Sequence, residues 1–241
     1  MIVSPVRMLL AMTLALLPCV DAAAGVVING TRVIYQAQAR EVTVQVNNDG
    51  QAPSLVQAWI DNGDPEQTPD TSDAPFVLTP PIARVEPGRS QALRLIFTGG
   101  DLPADRESLF WLNVLDVAPS PDTAGDEDQN FLQVAFRSRL KLFYRPKGLQ
   151  GLANEAPAAL RWSRDGERLR VENPTAFHVT LAEIHTLSGS VEKTIEDKGK
   201  MVLPRQSLEF TVPASTDAVR FYSINDYGGR VEHTLRVGSG G

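Results

Sequence analysis

The sequence predicts an all-β protein made of two immunoglobulin-like β-sandwich domains. Apolar and polar residues alternate with period two along short runs such as 41–46, 92–97 and 177–182, which is typical of half-buried strands. Turn signals separate these runs, and no segment carries a helical period beyond two turns. Because one immunoglobulin-like sandwich takes about 100 residues, two of them account for most of the 241-residue chain.

The first 24 residues are expected to be a secretory signal peptide. Arg7 precedes an apolar run over 8–17, and small residues follow at 22–24, which together are typical of such a signal. The run is shorter than the roughly 20 apolar residues that a membrane-spanning helix needs. Cys19 offers lipidation as an alternative, but Pro18 stands where lipoprotein signals carry a small residue. We therefore expect cleavage after about Ala24.

Two turn signals predict hairpins in the second half of the chain. Asp165-Gly166 lies between two apolar-polar runs, and Gly228-Gly229 lies between two more. The domain boundary is expected near Gly148, because Pro146 cannot continue a strand ladder and Gly148 permits a bend. The predicted domains are therefore 25–147 and 148–241.

One predicted strand is unusually long. From Asn130 to Arg145 the chain runs without a breaker, about 16 residues against the common 5–6. Even positions are mostly apolar and odd positions mostly polar. Two interpretations stay open at this point: a core strand with its apolar face inward, or an exposed edge to which a partner adds a strand.

Composition and motifs exclude several classes of function. A formal net charge of −6 argues against general nucleic-acid binding, which needs a basic surface. One cysteine and three histidines are too few for a zinc cluster or a disulfide framework, and the acidic cluster 61–64 lacks the spacing of a calcium loop. No catalytic or nucleotide-binding motif is present. We expect no enzyme activity, no metal and no cofactor, and we expect the histidines to be unpaired surface residues.

Several ordered blocks of residues resemble one family. The most specific are 102–114 (LPADRESLFWLNV), 141–146 (KLFYRP) and 224–229 (INDYGG), and weaker support comes from 31–32, 84–88 and 172–175. Across the mature chain they resemble the PapD-like periplasmic chaperones of the chaperone–usher pathway. Small departures are Ala118 and Ala176, where the family usually has proline.

The resemblance implies a fold and a function. The two sandwiches would be set at an angle with a cleft between them. The chain would bind, fold and cap pilus (fimbrial) subunits by donor-strand complementation and deliver them to an outer-membrane usher. Leu132, Val134 and Phe136 match the residues that fill the open groove of a subunit, and burial of each is worth about 1.5–3 kcal/mol.

The resemblance also implies roles for five charged residues. Arg32 and Lys141 match a basic pair that anchors the C-terminal carboxylate of the subunit. Such an anchor fixes the register, because a slip by one residue would turn the groove-binding residues away. Glu107, Arg145 and Asp226 match a charge cluster between the domains, which would hold them at an angle.

Finer expectations and rival functions remain. The loop 118–129 is short and free of cysteine, as in the short-loop branch of the family. The exposed strand also allows a self-capping dimer of the free protein. The main rival is a secreted two-domain adhesin or structural subunit, which would not need Arg32 and Lys141 together. A periplasmic metal carrier and an enzyme are further rivals, for which the sequence offers too few ligands and no catalytic motif.

Overall fold

A computed structural model describes residues 25–120 and 133–239 of the chain. The predicted signal peptide, 1–24, and the predicted groove-binding residue Leu132 lie outside the described residues. The described chain is all-β, which confirms the predicted fold class, and its sheets fall into two sandwiches.

The first sandwich contains nine strands within the described residues. They are β1 (Val26–Ile28), β2 (Arg32–Gln36), β3 (Val42–Asn48), β4 (Ser54–Asp61), β5 (Phe76–Thr79), β6 (Ile82–Val85), β7 (Ser90–Phe97), β8 (Ser108–Val117) and β9 (Ala135–Arg145). One sheet has the order β1-β3-β7-β5 and the other β2-β9-β8-β4-β6.

The core of this sandwich lies between its two sheets because side chains alternate along each strand. Val46 of β3 and Leu95 of β7 face inward from one sheet, and Leu112 of β8 and Leu142 of β9 face inward from the other. All four are fully buried. Each contributes about 1.5–3 kcal/mol through burial, so the two sheets are held together mainly by apolar contacts.

Strand β9 is shorter than the predicted run from Asn130. It begins at Ala135, and the two described residues before it are not in a strand. β8 pairs antiparallel with β9 from Ala135 to Tyr144, whereas β2 pairs parallel with β9 only from Lys141 to Arg145. The two halves of β9 therefore have different neighbours.

The second sandwich begins with a short 3-10 helix, Ala153–Ala159, which the sequence pattern does not predict. Its strands are β10 (Arg161–Asp165), β11 (Arg168–Glu172), β12 (Val179–Ser188), β13 (Val191–Glu196), β14 (Lys200–Val202), β15 (Ser207–Thr211), β16 (Ala218–Ile224), β17 (Arg230–Arg236) and β18 (Gly238–Ser239). One sheet has the order β15-β11-β10-β18 and the other β13-β12-β16-β17, with β14 beside β12.

The two predicted hairpins are confirmed in this domain. β10 pairs with β11 around Asp165-Gly166, and β16 pairs with β17 around Gly228-Gly229. Trp162 of β10 packs on Phe221 of β16 with ring centroids 5.3 Å apart, which joins the two sheets across the core. In the ranges that the structure describes, no helix is long and apolar enough to cross a membrane.

Candidate functional site

The edge of β9 is open along the part of the strand that precedes Lys141. β8 covers one edge of this segment, and the pairing with β2 starts only at Lys141. Within residues 25–120 and 133–239, no strand pairs with the second edge of 135–140. Backbone N–H and C=O groups on such an edge can pair with a strand from another chain.

Two of the three predicted groove-binding residues lie at this open edge. The exposed fraction is 68% for Phe136 and 44% for Val134. Their spacing of two places them on one side of an extended segment. The third, Leu132, lies outside the described residues. An exposed apolar face beside an unpaired strand edge is suited to receive a partner's strand and to fill a partner's groove.

The predicted basic pair, Arg32 and Lys141, is a direct register pair between β2 and β9. Nζ of Lys141 lies 3.4 Å from Oγ1 of Thr180 and 5.8 Å from the ring centroid of Trp111. The guanidinium of Arg32 donates a hydrogen bond to the carbonyl oxygen of Ile224 at 3.0 Å. The structure therefore brings both cations together where the open edge ends.

Burial disfavours the charged form of both side chains. Burial, followed by the positive charge of Arg32, lowers the pKa of Lys141 to about 8. Burial also lowers the pKa of Arg32, although the charges of Asp226 and Glu107 oppose this. Nε of Arg32 is buried and has no hydrogen-bond partner in the described part of the chain. A carboxylate between the two cations would accept hydrogen bonds from both and offset their repulsion, so the pair is suited to bind an anion.

The three predicted charges between the domains are in contact. Nε of Arg145 donates to Oε1 of Glu107 at 2.7 Å, and its Nη1 and Nη2 donate to the two oxygens of Asp226 at 2.8 and 3.0 Å. Burial opposes the charge of Arg145, but the hydrogen bonds and charges of Asp226 and Glu107 outweigh it and raise its pKa. One arginine of the first domain thus joins a carboxylate from each domain.

His178 is a member of this network that the sequence does not predict. Its backbone N–H donates to Oε2 of Glu107 at 2.8 Å, and its ring Nδ1 lies 3.2 Å from the same oxygen. The side chain is buried, and its ring centroid is 5.4 Å from that of Phe143. The backbone N–H of Glu107 also donates to the carbonyl of Ala176 at 2.9 Å, so this carboxylate is held by the second domain.

The expectation that the histidines are unpaired and exposed is therefore wrong. His178 is buried between the domains, His185 lies 3.4 Å from carboxylate oxygens of Glu183 and Glu192, and His233 bonds to Ser223 at 2.9 Å. Each partner except Glu183 is seven or more residues away in sequence. The contacts of His185 and His233 lie within hairpins, whereas Glu107 is 71 residues from His178, so no local pattern could have shown that contact.

The contacts from the second domain to the basic pair come from two adjacent strand ends. Thr180 of β12 and Ile224 of β16 are register partners. Two residues of the charge network lie close by: His178 is two residues before Thr180, and Asp226 is two residues after Ile224. One face of the second domain therefore meets both the basic pair and the charge network, so the position of the second domain bears on the anchor.

A second ionic contact between the domains is also absent from the sequence-based expectations. Arg205 contacts the carboxylate of Asp105 and donates to its carbonyl oxygen at 3.2 Å. Arg205 has a φ of 57°, in the left-handed region that few non-glycine residues adopt. Both side chains are about half exposed, unlike the Glu107–Arg145 pair. This contact lies beside the linker that contains Gly148 and Gly151.

The described residues offer no set of ligands for a metal. Within 25–120 and 133–239, no group of three or more His, Cys, Asp or Glu side chains could hold an ion. The acidic cluster at 61–64 instead contributes Asp61, which is fully buried and bonded to Arg139. The site is thus an apolar strand edge, a basic pair and a charge network between two domains.

Two family models match the chain. Residues 25–150 match the model described as pili and flagellar-assembly chaperone, PapD N-terminal domain. Residues 155–235 match the model described as pili assembly chaperone PapD, C-terminal domain. Together the two matches cover most of the chain and both sandwiches.

Individual relatives are similar over nearly their whole length. The probable fimbrial chaperone YadV of Escherichia coli K12 is 42% identical over 89% of this chain and 90% of its own. A crystal structure of a YadV chaperone matches at 39% identity and a TM-score of 0.75, over 89% of this chain and 100% of that one. The chaperone protein FimB/FhaD of Bordetella pertussis is 45% identical over 86% of both chains. A Salmonella enterica structure of SafA pilin in complex with the SafB chaperone matches at 32% identity and a TM-score of 0.74, over 88% of this chain and 95% of that one.

Proposed function

The chain belongs to the PapD family of pilus-assembly chaperones, and on that premise we propose that it binds, folds and caps pilus subunits by donor-strand complementation and delivers them to an outer-membrane usher. The observation that carries this proposal is the half-paired strand β9, whose open edge lies beside exposed Val134 and Phe136. The SafB chaperone, which shares this fold, is described in complex with a pilin.

The open edge and its apolar side chains supply the two components of strand addition. Main-chain hydrogen bonds along 135–140 would give affinity, and the side chains of Leu132, Val134 and Phe136 would enter the groove of the subunit. Removal of each such side chain from water is worth about 1.5–3 kcal/mol before ordering costs. A subunit whose groove is filled in this way is protected from aggregation.

Arg32 and Lys141 would anchor the C-terminal carboxylate of the subunit. They lie where the open edge meets the paired part of β9, so a carboxylate bound there fixes which residues of the subunit face Val134 and Phe136. The lowered pKa of Lys141, which burial and the charge of Arg32 cause, indicates a pair that gains from an added negative charge.

Glu107, Arg145 and Asp226 would keep the cleft in the geometry that this anchor needs. Because Ile224 holds Arg32 and lies two residues before Asp226, a change in the position of the second domain would move a partner of the anchor. We place the domain boundary near Gly148, between the two halves of this network. The charge network then acts on subunit binding through orientation.

The proposed setting is the periplasm, reached after cleavage of residues 1–24 at about Ala24. The role is non-enzymatic and uses no cofactor or metal. The open edge of β9 also offers a second copy of the chain a pairing surface, and a self-capping dimer of the free chaperone is part of the proposal. The finer choice of a short-loop chaperone rests on 118–129, of which 121–129 lie outside the described residues.

A periplasmic pull-down tests the function and the anchor together. The wild type and Lys141→Ala would carry a C-terminal tag in a piliated host, and mass spectrometry would identify bound proteins. We expect stoichiometric pilus subunits on the wild type and their loss on Lys141→Ala. The exposed Lys193 of β13 supplies a matched control, since Lys193→Ala removes the same charge far from the anchor and should retain subunits.

The same experiment separates two failures. Equal amounts of bound pilus protein on the wild type and Lys141→Ala would contradict the anchor and leave the chaperone function standing. An abundant, folded wild type without any bound pilus protein would contradict the proposed function itself.

A further inference from the structure

The face of β9 opposite Phe136 carries two arginines that are bonded to buried polar groups. Because side chains alternate along a strand, Arg137 and Arg139 point away from the face that holds Phe136. Arg139 donates from Nε and Nη2 to the two oxygens of Asp61 at 3.0 and 2.5 Å. Arg137 donates from Nε and Nη2 to Oδ1 of Asn113 at 3.0 and 2.8 Å.

The acceptors of these bonds are fully buried. Asp61 and Asn113 have no exposed surface, and Nδ2 of Asn113 donates to Asp61 at 2.7 Å. Burial opposes the charge of Asp61, but the hydrogen bonds of Arg139 and Asn113 outweigh it and lower its pKa. The carboxylate is therefore ionised, and its bonds are charge-assisted and strong. Because the buried oxygens of Asp61 and Asn113 accept these hydrogen bonds, they hold Arg137 and Arg139 in one geometry.

Two tryptophans support the arginines from the sheet. Cζ of Arg137 lies 4.8 Å from the ring centroid of Trp59, and Cζ of Arg139 lies 4.4 Å from that of Trp111. Nη1 of Arg137 also donates to the carbonyl of Pro65 at 2.8 Å. The arginine ladder is defined by its six residues: Trp59, Asp61, Trp111, Asn113, Arg137 and Arg139. It ties β9 to β8, to β4 and to the loop after β4.

The arginine ladder contacts the half of β9 that has one strand neighbour. Arg137 and Arg139 both lie within 135–140, the segment that pairs with β8 alone among the described residues. A singly paired segment with exposed apolar side chains has few contacts to keep it extended. A strand that must be ordered on binding loses affinity, and one that is already ordered avoids this loss.

We propose that the arginine ladder preorganises the donor segment, residues 135–139, as an extended strand, and that Arg137 and Arg139 are positioning residues for groove binding by Phe136 and the adjacent Val134. This inference rests on the proposed function and concerns a different step from the carboxylate anchor. The ladder acts from the face that the groove of a subunit does not contact, and it lies on the same strand as the anchor residue Lys141.

Hydrogen exchange and subunit affinity, measured on the full chain, test this inference. The main variant is Arg137→Met, which keeps an apolar stem over Trp59 and removes the forked donor. The probe is a pilus subunit from the same gene cluster with its N-terminal extension removed. We expect Arg137→Met to raise the exchange rate in a peptide covering 133–140, to leave 141–145 unchanged and to weaken subunit binding at least tenfold.

Three comparisons complete the design. Arg94→Met makes the same change at an exposed position of β7 and should match the wild type in both measurements. Lys141→Met should weaken binding while leaving exchange over 133–140 unchanged. Arg137→Lys, which retains the charge but not the fork, should fold and fall between the wild type and Arg137→Met.

The outcomes distinguish this inference from the proposed function. Folded Arg137→Met with wild-type exchange over 133–140, or with an affinity within twofold of the wild type, would overturn the ladder's positioning role alone. If Arg137→Met does not fold, wild-type exchange over 133–140 in folded Arg137→Lys would overturn it. A wild type that binds no subunit would overturn the proposed function, and the inference with it.

Discussion

The two halves of β9 share one alternating pattern but have opposite surroundings. In the second half, Leu142 and Phe143 are buried, and Tyr144 packs on Phe97 with ring centroids 4.4 Å apart. In the first half, Phe136 is 68% exposed. The difference arises because β2 pairs only with the second half. One strand thus combines a part that buries Leu142 and Phe143 with a part that leaves Phe136 exposed.

The largest expected effect on stability comes from the buried half. Leu142→Ala should lower the free energy of unfolding by about 3–5 kcal/mol, because a fully buried leucine leaves a cavity when it is truncated. Phe136→Ala should change it by less than about 0.5 kcal/mol, since its side chain is already in water. Urea unfolding followed by fluorescence measures both.

Subunit binding should be affected in the reverse order, when it is measured at a temperature at which both variants are folded. Phe136→Ala should lose subunit binding, whereas folded Leu142→Ala should retain it. A Phe136→Ala protein that is as destabilised as Leu142→Ala would show that the first half of β9 is buried in solution, and the contrast between the halves would fail.

The next largest effect lies at the junction of the domains. Arg145→Ala should lower the free energy of unfolding by about 2–3 kcal/mol, because it leaves the buried carboxylate of Glu107 without its arginine while the partly exposed Asp226 regains water. Calorimetry measures the loss. Arg145→Lys is the control, and it should recover only part of the stability because an ammonium cannot fork to two carboxylates. Full recovery by lysine would contradict the forked geometry.

Much of the fold could be predicted from the sequence because it depends on local signals. Alternation and turn residues identify β3, β7 and both hairpins without any tertiary information. The resemblance supplied Arg32, Lys141, Glu107, Arg145 and Asp226, and the structure places these residues in contact or in register. Whether β9 is core or edge could not be read from its own pattern, because the answer depends on where β2 begins.

The rest of the site is formed by contacts between residues far apart in the sequence. His178 is 71 residues from Glu107, and Arg139 is 78 residues from Asp61. Alternation indicates only that Arg139 lies on the polar face of its strand. It does not show that a buried carboxylate lies at the end of β4. From the sequence alone, a histidine or an arginine that bonds a buried group therefore cannot be distinguished from one that is solvated.

The pH dependence of subunit binding tests Lys141, the residue at which the two halves of β9 meet. The pKa of Lys141 in the free protein is about 8, and a bound carboxylate should raise it. Affinity should then be constant below pH 8 and fall above it, by up to tenfold per pH unit until the pKa of the complex is reached. Calorimetric titration between pH 7 and 10, with a peptide that matches the C-terminus of a pilus subunit, measures this.

Two controls check that this pH step belongs to Lys141. Lys141→Arg should remove the step, because arginine stays charged over the whole range. A peptide with an amidated C-terminus should bind weakly at every pH. The stability of the free protein should change in the opposite direction: the folded pKa lies below the unfolded value of 10.5, so stability should rise between about pH 8 and 10.5. An unchanged pH step in Lys141→Arg would assign the titration to another group.

The smallest effect is expected at the second ionic contact between the domains, which contrasts with the buried one. Arg205→Ala should lower the free energy of unfolding by less than about 1 kcal/mol, because both Arg205 and Asp105 are about half exposed and water replaces the lost partner. Alanine keeps the strain of a left-handed φ, so the change reports the contacts of Arg205 with the carboxylate and the carbonyl oxygen of Asp105. Arg205→Gly removes the ion pair and the strain together and should be no less stable than Arg205→Ala. A loss as large as that of Arg145→Ala would mean that the two ion pairs between the domains contribute equally to the free energy of unfolding. Burial would then not determine which ion pair stabilises the domain junction.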